Sequence, residues 1–95
     1  MRTRARLDAN HNEVVKALRQ AGISAWSTAA LGNGFPDVIA ARCGVNILLE
    51  VKDGTKPPSE RKLTDDEEGF FLTWKGAIKI VYSAEEAVKY VLANT

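Results

Sequence analysis

Apolar and polar positions along this chain follow two different periods, and the switches between them mark its elements. Leu7, His11, Val14, Val15, Leu18 and Ala21 share one face of a helix predicted over 8–21, with Gly22 placed to end it. Strands are predicted over 23–28, 35–41 and 45–52, the last two joined tightly around Cys43-Gly44. The breaker-rich stretches at 32–34 and 53–59 lie inside the domain rather than between domains. Thr64-Asp65-Asp66-Glu67 then has the spacing of a capping box, and the acids at 65–68 suit the positive end of a helix dipole. The helix that follows carries Phe70, Phe71 and Trp74 and stops at Gly76. A fourth strand over 77–82 leads to a second capping box, Ser83 with Glu86, and to a last helix with Ala84, Ala87, Val88, Val91 and Leu92 on one face. The order α-β-β-β-α-β-α predicts an α/β sandwich built on a small mixed sheet, closed by a C-terminal helix.

Composition narrows the possibilities. Ninety-five residues, 45% hydrophobic and 26% charged, are expected to form one soluble domain over 1–95, with a core modest enough to favour dimerisation. A net charge of +1 provides no bulk attraction to nucleic acid or to a membrane, so charge that binds DNA must be local. The single cysteine, Cys43, excludes an internal disulfide framework and fits a reducing compartment. No apolar run approaches the roughly 18–20 residues that span a bilayer, and Met1–Arg6 is not followed by the apolar segment of a secretory signal. The expected compartment is the cytoplasm. Trp26 and Trp74 are expected to pack the small core, with stacking on bases as the alternative.

Chemistry enters with the central hairpin. If Ala41 lies opposite Asn46, paired residue numbers sum to 87 and Asp37 faces Glu50, with Cβ atoms about 4.5–5.5 Å apart. Lys52, two residues beyond Glu50, shares that face, and a slip of one residue would separate all three. Opposed carboxylates repel, and burial strengthens the repulsion. Lys52 alone, as in a structural ion pair, is one form of compensation. A hard divalent cation suits two close carboxylates better, and Mg²⁺ takes one or two of them while keeping waters and phosphate oxygens.

Pro36-Asp37 followed by Glu50-Val51-Lys52, set in this element order, resembles the PD-(D/E)XK nuclease superfamily. The likeness is greatest to its small phage and bacterial members of the VRR-NUC and Holliday-junction-resolvase-like type, and it runs from about Asp8 to Val88. Gly34-Phe35-Pro36-Asp37, Glu50 to Gly54, Leu63-Thr64 opening a helix and the strand after Gly76 match in order. The resemblance implies a restriction-endonuclease-like αβββαβ fold and a metal-dependent endodeoxyribonuclease that leaves a 5′-phosphate. It implies that Asp37, Glu50 and the Val51 carbonyl hold Mg²⁺, with Mn²⁺ able to substitute, and that Lys52 attends the attacking water. Many members add an acid from the first helix. Glu13 is the candidate by chemistry, whereas His11 is the candidate by position on the apolar face, with a core histidine as its plainer role. Relatives commonly carry glutamine where Glu67 stands, and the capping box already gives Glu67 a structural role.

Positive charge is local in two places, Arg2, Arg4 and Arg6 at the N-terminus and Lys52, Lys56, Arg61 and Lys62 after the third strand. Asn33, between two glycines, lets backbone approach a phosphate closely or simply makes a turn. These residues are the expected DNA contacts. The expected protein is a homodimeric nuclease acting on branched, flap or junction DNA in a bacterial or phage-infected cell. Two alternatives differ in class: a non-catalytic nucleic-acid-binding accessory module of the same fold, and an unrelated α/β interaction protein whose Glu50–Lys52 pair is structural.

Overall fold

Cys43 and Gly44 both take positive φ, 53° and 78°, the backbone of a two-residue hairpin turn whose twist matches the strands it joins. In the computed structural model, which describes residues 8–95, this turn links β2 (Val38–Arg42) to β3 (Val45–Val51). Arg42 lies opposite Val45 and Val38 opposite Leu49, which is the predicted register. β1 (Ser24–Ser27) adds antiparallel to β2 and β4 (Ile78–Val81) parallel to β3, giving a mixed sheet in the order β1-β2-β3-β4.

Alternation along the central strands decides which face is covered. Ile47, Leu49 and Val51 of β3 and Val38 and Ala40 of β2 point to α1 (His11–Gln20) and α3 (Ala84–Ala93). There they are buried with Val14, Leu18, Ala87 and Val91. Full burial of a side chain such as Leu18 or Leu49 contributes about 1.5–3 kcal/mol. The intervening residues Leu48, Glu50 and Lys52 point to the opposite face, where α2 (Asp65–Thr73) carries the chain back toward the start of β4.

α2 buries none of its side chains fully. Its start is a complete capping box: Thr64 Oγ1 accepts from the Glu67 N–H and Glu67 Oε1 accepts from the Thr64 N–H. The Phe70 ring packs edge-on against Phe35 at 5.2 Å and stacks on Trp74 at 5.1 Å. Gly34, at φ +83°, lies directly under the Asp66 carbonyl, with no room for a Cβ. Gly34→Ala is therefore expected to cost about 3 kcal/mol through backbone strain and overlap, read by urea denaturation. A loss below about 1 kcal/mol would mean that α2 is not seated there.

Several expectations are corrected. α1 begins at His11 rather than Asp8: residues 9 and 10 form a turn closed by the His11 N–H bond to the Asp8 carbonyl, and Asn10 stands at the N-cap with its side chain bonded to the Lys52 and Tyr82 carbonyls. Residues 35–37 are not strand: Gly32, Asn33 and Gly34 all take positive φ, and the chain loops before entering β2 at Val38. At α3, Ser83 Oγ accepts from the Glu86 N–H, but the Glu86 carboxylate reaches past Ser83 to the Tyr82 N–H, so only half of the second capping box forms. Trp26 and Trp74 are not core residues. Trp26 is 68% exposed on edge strand β1, under the Arg19 guanidinium, and Trp74 is 43% exposed at the end of α2. Among the described residues no helix is long and apolar enough to cross a membrane.

Candidate functional site

The β2–β3 ladder ends at Val38–Leu49, and the next step in register sets Asp37 against Glu50. The Thr28 N–H donates to the Asp37 carbonyl at 2.7 Å, fixing the backbone where the loop meets β2. The Asp37 side chain then crosses to β3, where its Oδ2 accepts from the Val51 N–H at 3.0 Å. Glu50 is 2% exposed, and its Oε1 is buried with no donor. Lys52 follows on the same face, its Nζ 3.6 Å from Glu50 and 2.8 Å from Glu67 Oε1. Asp37, Glu50 and Lys52 thus converge, and Val51 stands between Glu50 and Lys52 in the chain.

The electrostatics follow from this crowding. Burial pushes the Asp37 carboxyl up, against the opposing pull of the Val51 N–H and of Glu50. Burial, reinforced by the charge of Asp37, pushes Glu50 up to about 10. Without metal, Glu50 therefore holds its proton through the neutral range. Burial works against the Lys52 charge as well, but Glu67, Glu50 and Asp8 outweigh it and hold the ammonium above the usual lysine range. Glu67 is likewise partly buried, yet Lys52 and the Thr64 N–H hold it below the usual carboxylate range.

These groups open into a cleft of about 400 Å³ lined by Asp8, Asp37, Glu50, Lys52, Lys56, Glu60, Thr64 and Glu67. Five carboxylates face two ammonium groups there. The nearer ammonium, Lys52, sits closer to Glu67 at 2.8 Å than to Glu50 at 3.6 Å, so the Asp37–Glu50 pair shares its one counter-charge with Glu67. Among the described residues no three His, Cys, Asp or Glu side chains form a ready ligand cage. The donor set is two carboxylates beside a water-accessible cleft, which fits Mg²⁺ with its retained waters better than an all-protein site.

The remaining candidates divide. Lys56 lines the cleft, 3.8 Å from Asp8 Oδ1. Arg61 lies over the Tyr82 ring at 5.4 Å, while Lys62 and Asn33 are exposed, Asn33 with φ 55°. Arg2, Arg4 and Arg6 lie outside the described residues. His11 is buried and shares a 2.9 Å hydrogen bond with Ser27 Oγ; it does not line the cleft. Glu13 is not brought to the carboxylates. It lies on the exposed side of α1 because His11, Val14, Val15 and Leu18 take the buried face. Glu13→Gln is accordingly expected to leave Mg²⁺ affinity within about twofold of wild type by calorimetry, the size of a surface substitution.

Asp8, Glu60 and Asn10 carry no mark of the site in the sequence, although Asp8 and Glu60 line the cleft. Asn10 sends its amide to the Lys52 and Tyr82 carbonyls, which nothing local signals. Glu67 was visible as a helix cap, but its second partner, Lys52, lies 15 positions away. Compared with protein-family models, with curated proteins and with solved structures, the chain matches none of them.

Proposed function

We propose that this protein is a Mg²⁺-dependent endonuclease that hydrolyses DNA phosphodiester bonds on branched, flap or junction DNA. The observation that carries the reading is the Asp37–Glu50 pair, half-buried Asp37 in register with buried Glu50, beside Lys52 at a cleft with five carboxylates and two ammonium groups. Its likeness in residues and element order to PD-(D/E)XK nucleases supports the same reading. Asp37, Glu50 and the Val51 carbonyl would hold the ion, and Glu50 must release its proton to do so. Bound Mg²⁺ polarises a phosphoryl oxygen and lowers the pKa of a bound water.

Lys52 keeps its proton through the neutral range, so it serves as a donor rather than a base. Its ammonium orients the attacking water and offsets charge that builds on the phosphoryl oxygens. The water oxygen bonds to phosphorus as its proton passes to solvent, the P–O3′ bond breaks, and the leaving 3′-oxygen takes a proton from solvent water, giving a 5′-phosphate and a 3′-hydroxyl. Lys56, Arg61, Lys62 and the backbone around Asn33 would meet flanking phosphates. Cutting two strands symmetrically needs two sites, so a homodimer is the acting species.

Labelled duplex, flap and four-way-junction DNA incubated with Mg²⁺, Mn²⁺ or chelator tests the proposal. Metal-dependent cutting is the expected result, with branched substrates preferred. Binding without cutting on every substrate would replace the nuclease by an accessory module.

A further inference from the structure

Lys52 is held at both ends by side chains to which the nuclease reading gives no role. We propose that Glu67 and Asn10 are the positioning residues of Lys52, Glu67 for its ammonium and Asn10 for its backbone. The inference rests on that reading for its effect on cleavage, but not for the placement itself.

A single oxygen of Glu67 accepts from two donors, the Thr64 N–H at 2.9 Å and Lys52 Nζ at 2.8 Å. The first bond starts α2, and glutamate or glutamine at this position serves it equally. The second is an ion pair that only the carboxylate makes. Its partner group, Glu50, stands farther off at 3.6 Å. Glu67 thereby draws the ammonium away from the carboxylate assigned to metal, leaving Glu50 free for the ion and Lys52 directed into the cleft. A lysine released from Glu67 would fall back on Glu50 and compete with the cation.

Asn10 acts at the other end of the residue. It occupies the N-cap position of α1, where asparagine ordinarily bonds its own helix, yet it makes no such bond. Its Nδ2 instead donates to the Lys52 and Tyr82 carbonyls, 3.3 Å from each. These carbonyls stand where the parallel strands β3 and β4 leave the sheet, just past the Lys52 N–H bond to the Val81 carbonyl. Lys52 is thus fixed through its N–H by β4 and through its carbonyl by α1.

The test uses Glu67→Gln and Asn10→Ala. In Glu67→Gln the amide oxygen still accepts from Thr64, so the melting midpoint should stay close to wild type. The ¹⁵Nζ ammonium resonance of Lys52, followed in metal-free protein, should be sharp and slowly exchanging in wild type and should broaden away in the variant. Its kcat is expected to fall about tenfold with KM within about twofold, because the lysine is misplaced rather than the DNA lost. Asn10→Ala should lower kcat about three- to tenfold while the ammonium signal persists, since it acts through the backbone. An unchanged Lys52 signal in Glu67→Gln overturns the role of Glu67 whatever the cleavage, and wild-type kcat in Asn10→Ala overturns that of Asn10. Loss of the signal in Glu67→Gln, with wild type cutting no DNA, would remove the nuclease reading while supporting the placement of the ammonium by Glu67.

Discussion

Lys52→Ala is expected to lower the single-turnover cleavage rate by about 10²–10⁴-fold, the usual worth of a positioned proton-transfer or charge-stabilising group. The side chain is 11% exposed and its ammonium touches Glu67 and Glu50, so no neighbouring cation or bulk water replaces it. Its raised pKa keeps it charged well above neutral pH, and the loss should appear across the whole neutral range rather than on one limb of a pH profile. Folding should survive. Glu67 retains the Thr64 N–H, and Glu50 is already protonated without metal. Truncating one partner of this pair should still lower stability by about 1–3 kcal/mol, less than for a fully buried pair because Glu67 is 18% exposed. Calorimetry should give Mg²⁺ affinity within a few-fold of wild type. Cutting by Lys52→Ala at the wild-type rate would remove the lysine from the chemistry.

Asp37→Asn is expected to separate metal binding from stability in opposite directions. In the folded, metal-free protein Glu50 titrates at about 10, against 4.5 for an ordinary glutamate. Below about pH 4.5 both states carry the proton and there is no penalty. Between those two values the unfolded chain has released a proton that the folded chain retains, so stability falls as pH rises, by at most about 1.4 kcal/mol per pH unit. Lys52 contributes in the other sense only until its own raised pKa is passed, beyond this window. Glu67, with its lowered pKa, loses its contribution only as pH drops through the acidic range. Between pH 5 and 9 Glu50 therefore sets the slope.

Asparagine at 37 still accepts from the Val51 N–H but removes the charge that opposes Glu50. The metal-free melting midpoint of the variant should rise at pH 8 and depend less on pH, while Mg²⁺ affinity falls at least about tenfold for the lost charged ligand. Wild type, by contrast, should gain more from Mg²⁺ at pH 8 than at pH 6. A variant that melts below wild type at pH 8 without metal would show that the two carboxylates do not oppose each other.

The hairpin at the heart of the site was legible because its information is local. A two-residue turn at Cys43-Gly44 between two strand-forming runs leaves one register, and that register carries Asp37, Glu50 and Lys52 together. The parallel pairing of β4 with β3 likewise matches the mixed sheet implied by the element order. Trp26 and Trp74 were misjudged for the opposite reason. Whether an aromatic residue is buried depends on what covers its face, and α2 covers this face incompletely. The start of α1 was misplaced because residues 9 and 10 form a turn, with the Asn10 side chain bonded to carbonyls 42 and 72 positions away. Glu13 looked suitable by charge alone, but the buried stripe of α1 turns it to solvent.

The sharing of one Glu67 oxygen between a helix cap and the lysine has a thermal consequence. A helix with no fully buried side chain opens at a lower free energy than the sheet beneath it. Whenever the first turn of α2 frays, the oxygen that holds Lys52 leaves with it, although Glu50 stays in the β3–β4 ladder and Asp37 stays bonded to the Val51 N–H. On warming, the reaction would stop while most of the molecule remains folded. The working temperature would then be set by one loosely seated helix, and the hydrophobic core would outlast the activity it supports.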